Sequence, residues 1–179
     1  MSSYCNFAPG HPLHGPYHDH EYGFPLAEDD ALFERLLLEI NQAGLSWELM
    51  LKRRESFRRA YGGFSIAAVA GYGKRDVARL LADPGVIRNR LKIEAAIANA
   101  KTILELAAKH GSFASWIAAH HPRSKAEWVK LFRQTFRFAG PEIVGEFLMS
   151  IGYLPGAHRP DCPIYPKIAR LRPPWAKKK

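Results

Sequence analysis

Apolar residues recur at helical spacing along most of the chain and at strand spacing nowhere. Leu32, Leu36 and Ala43 fall on one face of a segment that opens at Asp29-Asp30 and stops at Gly44. Acidic residues suit a helix's first turn and glycine its exit, so both ends agree with the period between them. Ser46 is placed to cap a second helix carrying Trp47, Leu51 and Phe57. Residues 76–82 form a short helix that Asp83-Pro84-Gly85 must end, because proline disfavours helical geometry in the residue before it. A long helix follows through Leu91, Ile97, Leu104 and Ala107 to a stop at Gly111. Ser124-Lys125-Ala126-Glu127 reads as a capping box, and Pro141 opens a final helix ending at Gly152. No Asn-Gly or Asp-Gly hairpin occurs. The pattern predicts an all-α fold of roughly seven or eight helices. Residues 1–28 and 153–179, rich in Pro, Gly and His, read as irregular ends.

A length of 179 residues suits one domain over 1–179, with its core at about 4–165 and a basic tail at 172–179. With 47% hydrophobic and 24% charged residues, wholesale disorder is excluded. No apolar run approaches the roughly 18–20 residues of a membrane span. The opening MSSYCNFAPGHPLHGPYHDH has neither a basic start nor an apolar stretch, so no signal peptide is read and a cytoplasmic protein is expected.

Lys and Arg number 26 against 17 Asp and Glu, a net charge of +9. That excess suits a polyanionic partner, since neutralising phosphates releases counterions, or simply a soluble basic surface. Lys177-Lys178-Lys179 is a solvated end on the simplest reading. Lys52-Arg53-Arg54, Arg58-Arg59, Arg88, Arg90 and Lys92 are interior.

The only two cysteines, Cys5 and Cys162, lie near opposite ends, with His18 following the first and His158 four residues before the second. Together they offer the thiolate and imidazole set of a closed tetrahedral zinc site, which would be structural because no position is left for a water. Two unrelated buried cysteines with surface histidines is the plainer alternative. A disulfide is disfavoured in a reducing compartment.

Leu80 to Arg88 contains a Pro-Gly-Val turn between two helices, similar to the helix-hairpin-helix element of DNA repair proteins. Gly85 would let backbone approach backbone beside Val86, and the N–H groups opening the second helix would face a phosphate. Arg88, Arg90 and Lys92 oppose the macrodipole there and make better sense with an anion nearby. An ordinary interhelical turn is the competing reading. Glu39 shares a helix line with Leu32, Leu36 and Ala43, a carboxylate on an otherwise apolar face. It is either a pocket group, a rim residue or the partner of an arginine.

Four segments carry a family resemblance. Tyr17-His18-Asp19-His20-Glu21-Tyr22-Gly23-Phe24-Pro25 resembles YHDxEWGxP, and Leu38 to Trp47 resembles LExxQAGLSW. Gly85 to Ile93 resembles GIIRxRxKI, and Phe136 to Pro141 resembles FKFVGP. These are motifs of the DNA-3-methyladenine glycosylase I family, a zinc-containing branch of the helix-hairpin-helix glycosylases, and the likeness spans residues 4–162. It implies that Cys5, His18, His158 and Cys162 bind one structural Zn2+, although Tyr153 to Ala157 makes the preceding loop one residue longer. It implies that Tyr17, Glu39 and Trp47 line a pocket for a flipped base, with Phe7 in the place of the family's tryptophan and Glu39 recognising the alkylated adenine. Gly85, Val86, Arg88, Arg90 and Lys92 would hold double-stranded DNA, and the protein would act as a monomer.

The expected activity is hydrolysis of the N-glycosidic bond of 3-methyladenine, without a lyase step. No aspartate lies between Asp83 and Asp161, so the catalytic aspartate that many helix-hairpin-helix glycosylases place after the hairpin is missing. That suits a cationic base, which leaves with little acid assistance. His14, Tyr22 and Gly145-Glu146 also depart from the family pattern around the base. A non-catalytic DNA-binding module, or a glycosylase for another alkylated base, is the alternative.

Overall fold

The computed structural model describes residues 4–177, so Lys178 and Lys179 of the basic tail lie outside the described residues. Helix α1 covers Tyr4–Phe7, α2 His14–His20, α3 Asp29–Gln42, α4 Trp47–Ala60 and α5 Ile66–Ala70. Then come α6 Lys74–Ala82, α7 Arg90–His110, α8 Phe113–Ala119, α9 Lys125–Thr135, α10 Pro141–Ser150 and α11 Tyr165–Arg170. Two single 3-10 turns complete the set, and there is no strand among the described residues. The all-α expectation therefore holds, with more helices than expected. The additional ones are short, and too brief to show a period of their own.

Helix α3 is central. Leu32, Phe33, Leu36, Leu37, Leu38 and Ile40 are all buried, and so are the polar Glu34, Arg35, Glu39 and Asn41. A helix enclosed on every side can bury polar groups only where something answers them, which makes α3 the natural carrier of a site. The Glu28 side chain caps its start by accepting from Asp30 N and Ala31 N. Its first residues in turn cap other helices. Asp29 accepts from Phe113 N and Ala114 N at the opening of α8, and Asp30 accepts from Ile66 N at the opening of α5. The same core continues into an aromatic part, with Phe113, Trp116, Trp128, Phe132, Phe136 and Phe147 buried together. No helix is long and apolar enough to cross a membrane.

Local signals were read closely in places. Ser46 accepts from Leu49 N, and Ser124 with Glu127 closes the expected capping box. Helix α6 begins at Lys74 rather than 76, because Asp76 reaches back to accept from Gly73 N. Helix α10 ends at Ser150, and Gly152 follows it with φ +80°. It is not the final helix, since α11 lies in the stretch expected to be irregular. The N-terminal stretch likewise holds α1 and α2.

Candidate base pocket and metal centre

A cavity of about 350 Å³ opens between α1, α2, α3, α4 and α10. Tyr4, Tyr17, Tyr22 and Trp47 supply aromatic walls, and Glu39, Gln42, Glu142 and Glu146 supply polar ones. Tyr17 and Trp47 meet with ring centroids 5.1 Å apart. Tyr17 is pinned from behind by Arg35, whose Nη1 donates to its hydroxyl at 3.2 Å and whose guanidinium lies 4.9 Å from the ring centroid. Arg35 is itself bound to the Ser150 carbonyl and to Glu21. Arg54 grips Glu21 with two hydrogen bonds of 2.7 and 2.8 Å, and its guanidinium holds that carboxyl below the ordinary carboxylate range against the effect of burial.

Glu39 is 4% exposed, and among the described residues its carboxyl has no hydrogen-bond partner. Burial first, and then the charge of Glu146, push its pKa up to about 8, with Arg35 opposing the rise. The indole N–H of Trp47 is also buried without a partner. Buried polar groups are ordinarily satisfied, so two unanswered ones lining a single cavity mark a place prepared for a ligand. Together they offer an acceptor (or a shared proton), a donor and flat faces for stacking.

Three sequence-predicted pocket residues therefore meet in one cavity: Tyr17, Glu39 and Trp47. Phe7 does not join them. Its side chain is 51% exposed and packs edge-on against Tyr4 and His14, so the wall expected from Phe7 is formed by Tyr4 instead. Tyr4, Gln42 and Glu142 went unassigned in the sequence, and Glu146 stood out there only as a departure from the family pattern. Gln42 stands three residues after Glu39 on α3, so helical spacing alone would have found it.

The turn before α7 is only partly as expected. Gly85 sits so close to α4 that a Cβ there would lie 2.8 Å from Ser56 Cβ, and the Val86 carbonyl accepts from Arg53. Val86 itself is buried, while Arg88 and Arg90 are exposed. Lys92 corrects the sequence reading. Its ammonium turns inward and donates to the Asn41 and Ala43 carbonyls at 2.9 and 2.7 Å, satisfying the end of α3 instead of facing a phosphate. The other basic runs are also partly internal. Arg54 and Arg58 both bond Glu34, so their charge is neutralised within the protein.

Cys5, His18, His158 and Cys162 converge although they come from opposite ends of the chain. All four are buried, and their ligand atoms lie within 4.8 Å of one another. Both thiols are free. His158 Nε2 donates to the Tyr22 carbonyl at 2.7 Å, which leaves Nδ1 with its lone pair facing Cys5 and Cys162 at 3.7 and 3.4 Å. His18 uses Nδ1 on Asp19 at 2.6 Å and turns Nε2 toward Cys162. Outer partners of this kind fix the tautomer of a ligating imidazole. Burial also holds His158 below the ordinary imidazole range, in the neutral form that ligates. The lengthened loop does not disturb the cluster, because Gly156 takes φ +113° and brings Ala157 in against Gly23. The four side chains could hold a metal ion.

The comparisons agree with this geometry. A family model described as methyladenine glycosylase matches residues 7–130. DNA-3-methyladenine glycosylase 1 of Escherichia coli K12 is 34% identical over 90% of this chain and 96% of its own. The DNA-3-methyladenine glycosylase of Haemophilus influenzae is 32% identical over 91% and 98%. A solved structure of 3-methyladenine DNA glycosylase I from Staphylococcus aureus, concerned with 3-methyladenine recognition, superposes with a TM-score of 0.81 at 31% identity, covering 90% of this chain and 96% of that one. Matched by the family model over residues 7–130 and by these relatives over nearly its whole length, the chain belongs to the methyladenine glycosylase family.

Proposed function

We propose that the protein is a monofunctional DNA glycosylase that hydrolyses the N-glycosidic bond of 3-methyladenine in alkylated double-stranded DNA. The observation that carries this reading is the unpartnered Glu39 carboxyl facing an aromatic cavity of about 350 Å³. A base inside a duplex is out of reach, so it must be turned out of the stack to enter such a cavity. Tyr17 and Trp47 then take its faces, and Glu39 accepts from its amino edge. In the nucleotide, 3-methyladenine is cationic, and a buried carboxylate has its strongest interaction with such a ligand. Because that base departs neutral, the leaving group needs no general acid. Water attacks the oxocarbenium-like sugar carbon, its proton passes to solvent, and the glycosidic electron pair goes to the base. No lysine is needed, and none lines the cavity among the described residues.

Arg88 and Arg90, with the backbone at Gly85 and Val86, are assigned to the phosphates flanking the lesion in a helix-hairpin-helix arrangement. The exposed start of α7 and the close approach at Gly85 support that assignment. Cys5, His18, His158 and Cys162 would hold one Zn2+. In a tetrahedral zinc site the sulfur–nitrogen edges are about 3.6 Å, and the observed separations of 3.4 to 3.7 Å suit it. Four protein ligands leave no open position, so such an ion would clamp the two ends of the chain together rather than activate water.

The test is incubation with dimethyl-sulfate-treated DNA and chromatographic identification of the released bases. The wild-type protein should release 3-methyladenine. Glu39→Ala should release none while binding a duplex with an abasic analogue nearly as well as wild type. An inactive wild type that still binds duplex would favour a non-catalytic module, and an active Glu39→Ala would remove the assigned role.

A further inference from the structure

Glu39 is not the only carboxylate that reaches the cavity. Glu146 enters from α10, and its Oε2 accepts from the Tyr22 hydroxyl at 3.1 Å. Tyr22 is a firm anchor, being 5% exposed with its own carbonyl held by His158. Gly145 lets Lys125 lie close by, since a Cβ there would fall 2.7 Å from Lys125 Cε. The Lys125 ammonium faces Glu142 at 3.6 Å, and among the described residues no lysine or arginine forms an ion pair with Glu146 or Glu39. Tyr22 and Glu146 were both singled out in the sequence as departures from the family pattern. The structure joins them by a hydrogen bond.

Two unpaired carboxyls on one cavity cannot both ionise cheaply. Burial holds Glu146 above the ordinary carboxylate range, with the Tyr22 hydroxyl and the Lys125 charge opposing the rise, while burial and Glu146 together push Glu39 up to about 8. The carboxyls of Glu39, Glu142 and Glu146 give the cavity wall a negative charge for any ligand to meet. A ligand with a fixed positive charge compensates that charge and lets Glu39 ionise as well. A neutral ligand of the same outline must lie against a charge it cannot compensate and has displaced the water that did.

We propose that Glu146, positioned by Tyr22, is a specificity-determining residue that restricts the pocket to purines carrying a fixed positive charge. This deepens the glycosylase reading and rests on it for the identity of the occupant. The test is titration calorimetry with two probes that cannot be cleaved. One is 3,9-dimethyladeninium, a cation at neutral pH, and the other is 4-amino-1,7-dimethylbenzimidazole, which has the same outline and amino group, lacks the basic pyridine-type nitrogen and is uncharged at pH 7.5. Wild type should prefer the cation. Glu146→Gln, which still offers Tyr22 an acceptor, should lose about tenfold of that preference, by weaker binding of the cation and tighter binding of the neutral probe, and Glu146→Asp should keep most of it. Glu146→Ser makes the same prediction as the glutamine variant should that variant not fold.

Equal affinity of wild type for the two probes, or no binding of either, overturns the proposal. So does a neutral variant that keeps the wild-type preference, or one that weakens both probes alike, which is the signature of a packing role. A wild type that selects the cation yet releases no base from methylated DNA leaves charge selection standing and removes the glycosylase reading. Release of 3-methyladenine by a protein that does not distinguish the probes does the reverse.

Discussion

Replacing Glu39 by glutamine should stabilise the empty protein as pH rises while removing its excision activity. The carboxyl has a folded pKa of about 8 against an ordinary 4.5. The unfolded chain therefore gives up this proton first, and between those values it binds fewer protons than the folded one. Folding stability must fall with increasing pH across that window. A change from 4.5 to about 8 corresponds to about 4–5 kcal/mol at its alkaline end. Glutamine is nearly isosteric and does not titrate, so the variant lacks this loss. If only a third of it is realised, the midpoint of thermal unfolding at pH 8.5 should rise by about 4 °C relative to wild type, with little difference near pH 5. The assay is thermal unfolding followed by circular dichroism at half-unit steps from pH 5 to 9, on protein free of DNA. A Glu39→Gln variant with the same pH slope as wild type, or one less stable at pH 8.5, would refute the reasoning. It would mean that the carboxyl is paired or well solvated in the resting protein, and the pocket would lose its poised charge.

Two other expectations concern the scaffold. Elemental analysis should find one zinc per chain, and Cys162→Ser should lose it and expose residues near both termini to limited proteolysis while most helicity survives; retained metal or unchanged cleavage would contradict the clamp. Lys92→Met should cost about 2–4 kcal/mol in denaturant unfolding, because a charged donor to two carbonyls is lost from a 7%-exposed site. Stability unchanged by that substitution would mean water replaces the ammonium freely.

Much of this architecture is local and could be read locally. The Ser46 cap, the Ser124–Glu127 box and the stop at Gly111 each depend on a few neighbouring residues, so sequence spacing carried their information. The cluster of Cys5, His18, His158 and Cys162 was legible for another reason, because metal-ligand chemistry needs rare residue types and the chain has only two cysteines. Helices α1, α2 and α11 were missed because they are short segments held by long-range contacts. Cys5, His18 and Cys162 tie those stretches to one another, and no property of a four- to seven-residue window announces that.

Charge is where reading along the chain fails most instructively. A sequence counts cations but does not say which face outward, so the basic excess suits a footprint for phosphate and a merely soluble surface equally. Arg54, Arg58 and Lys92 instead serve Glu21, Glu34 and the end of α3. Glu146 shows the converse. It is one of two acids on α10, and only folding sets it on the wall of the same cavity as Glu39, 107 residues earlier in the chain. Charges on such a wall act on whatever enters, so net charge describes how the protein meets a polyanion and these two carboxyls describe which base it keeps. A chain of net charge +9 thus keeps an acidic cavity wall, an arrangement that suits binding a phosphate backbone while selecting a cationic base from it.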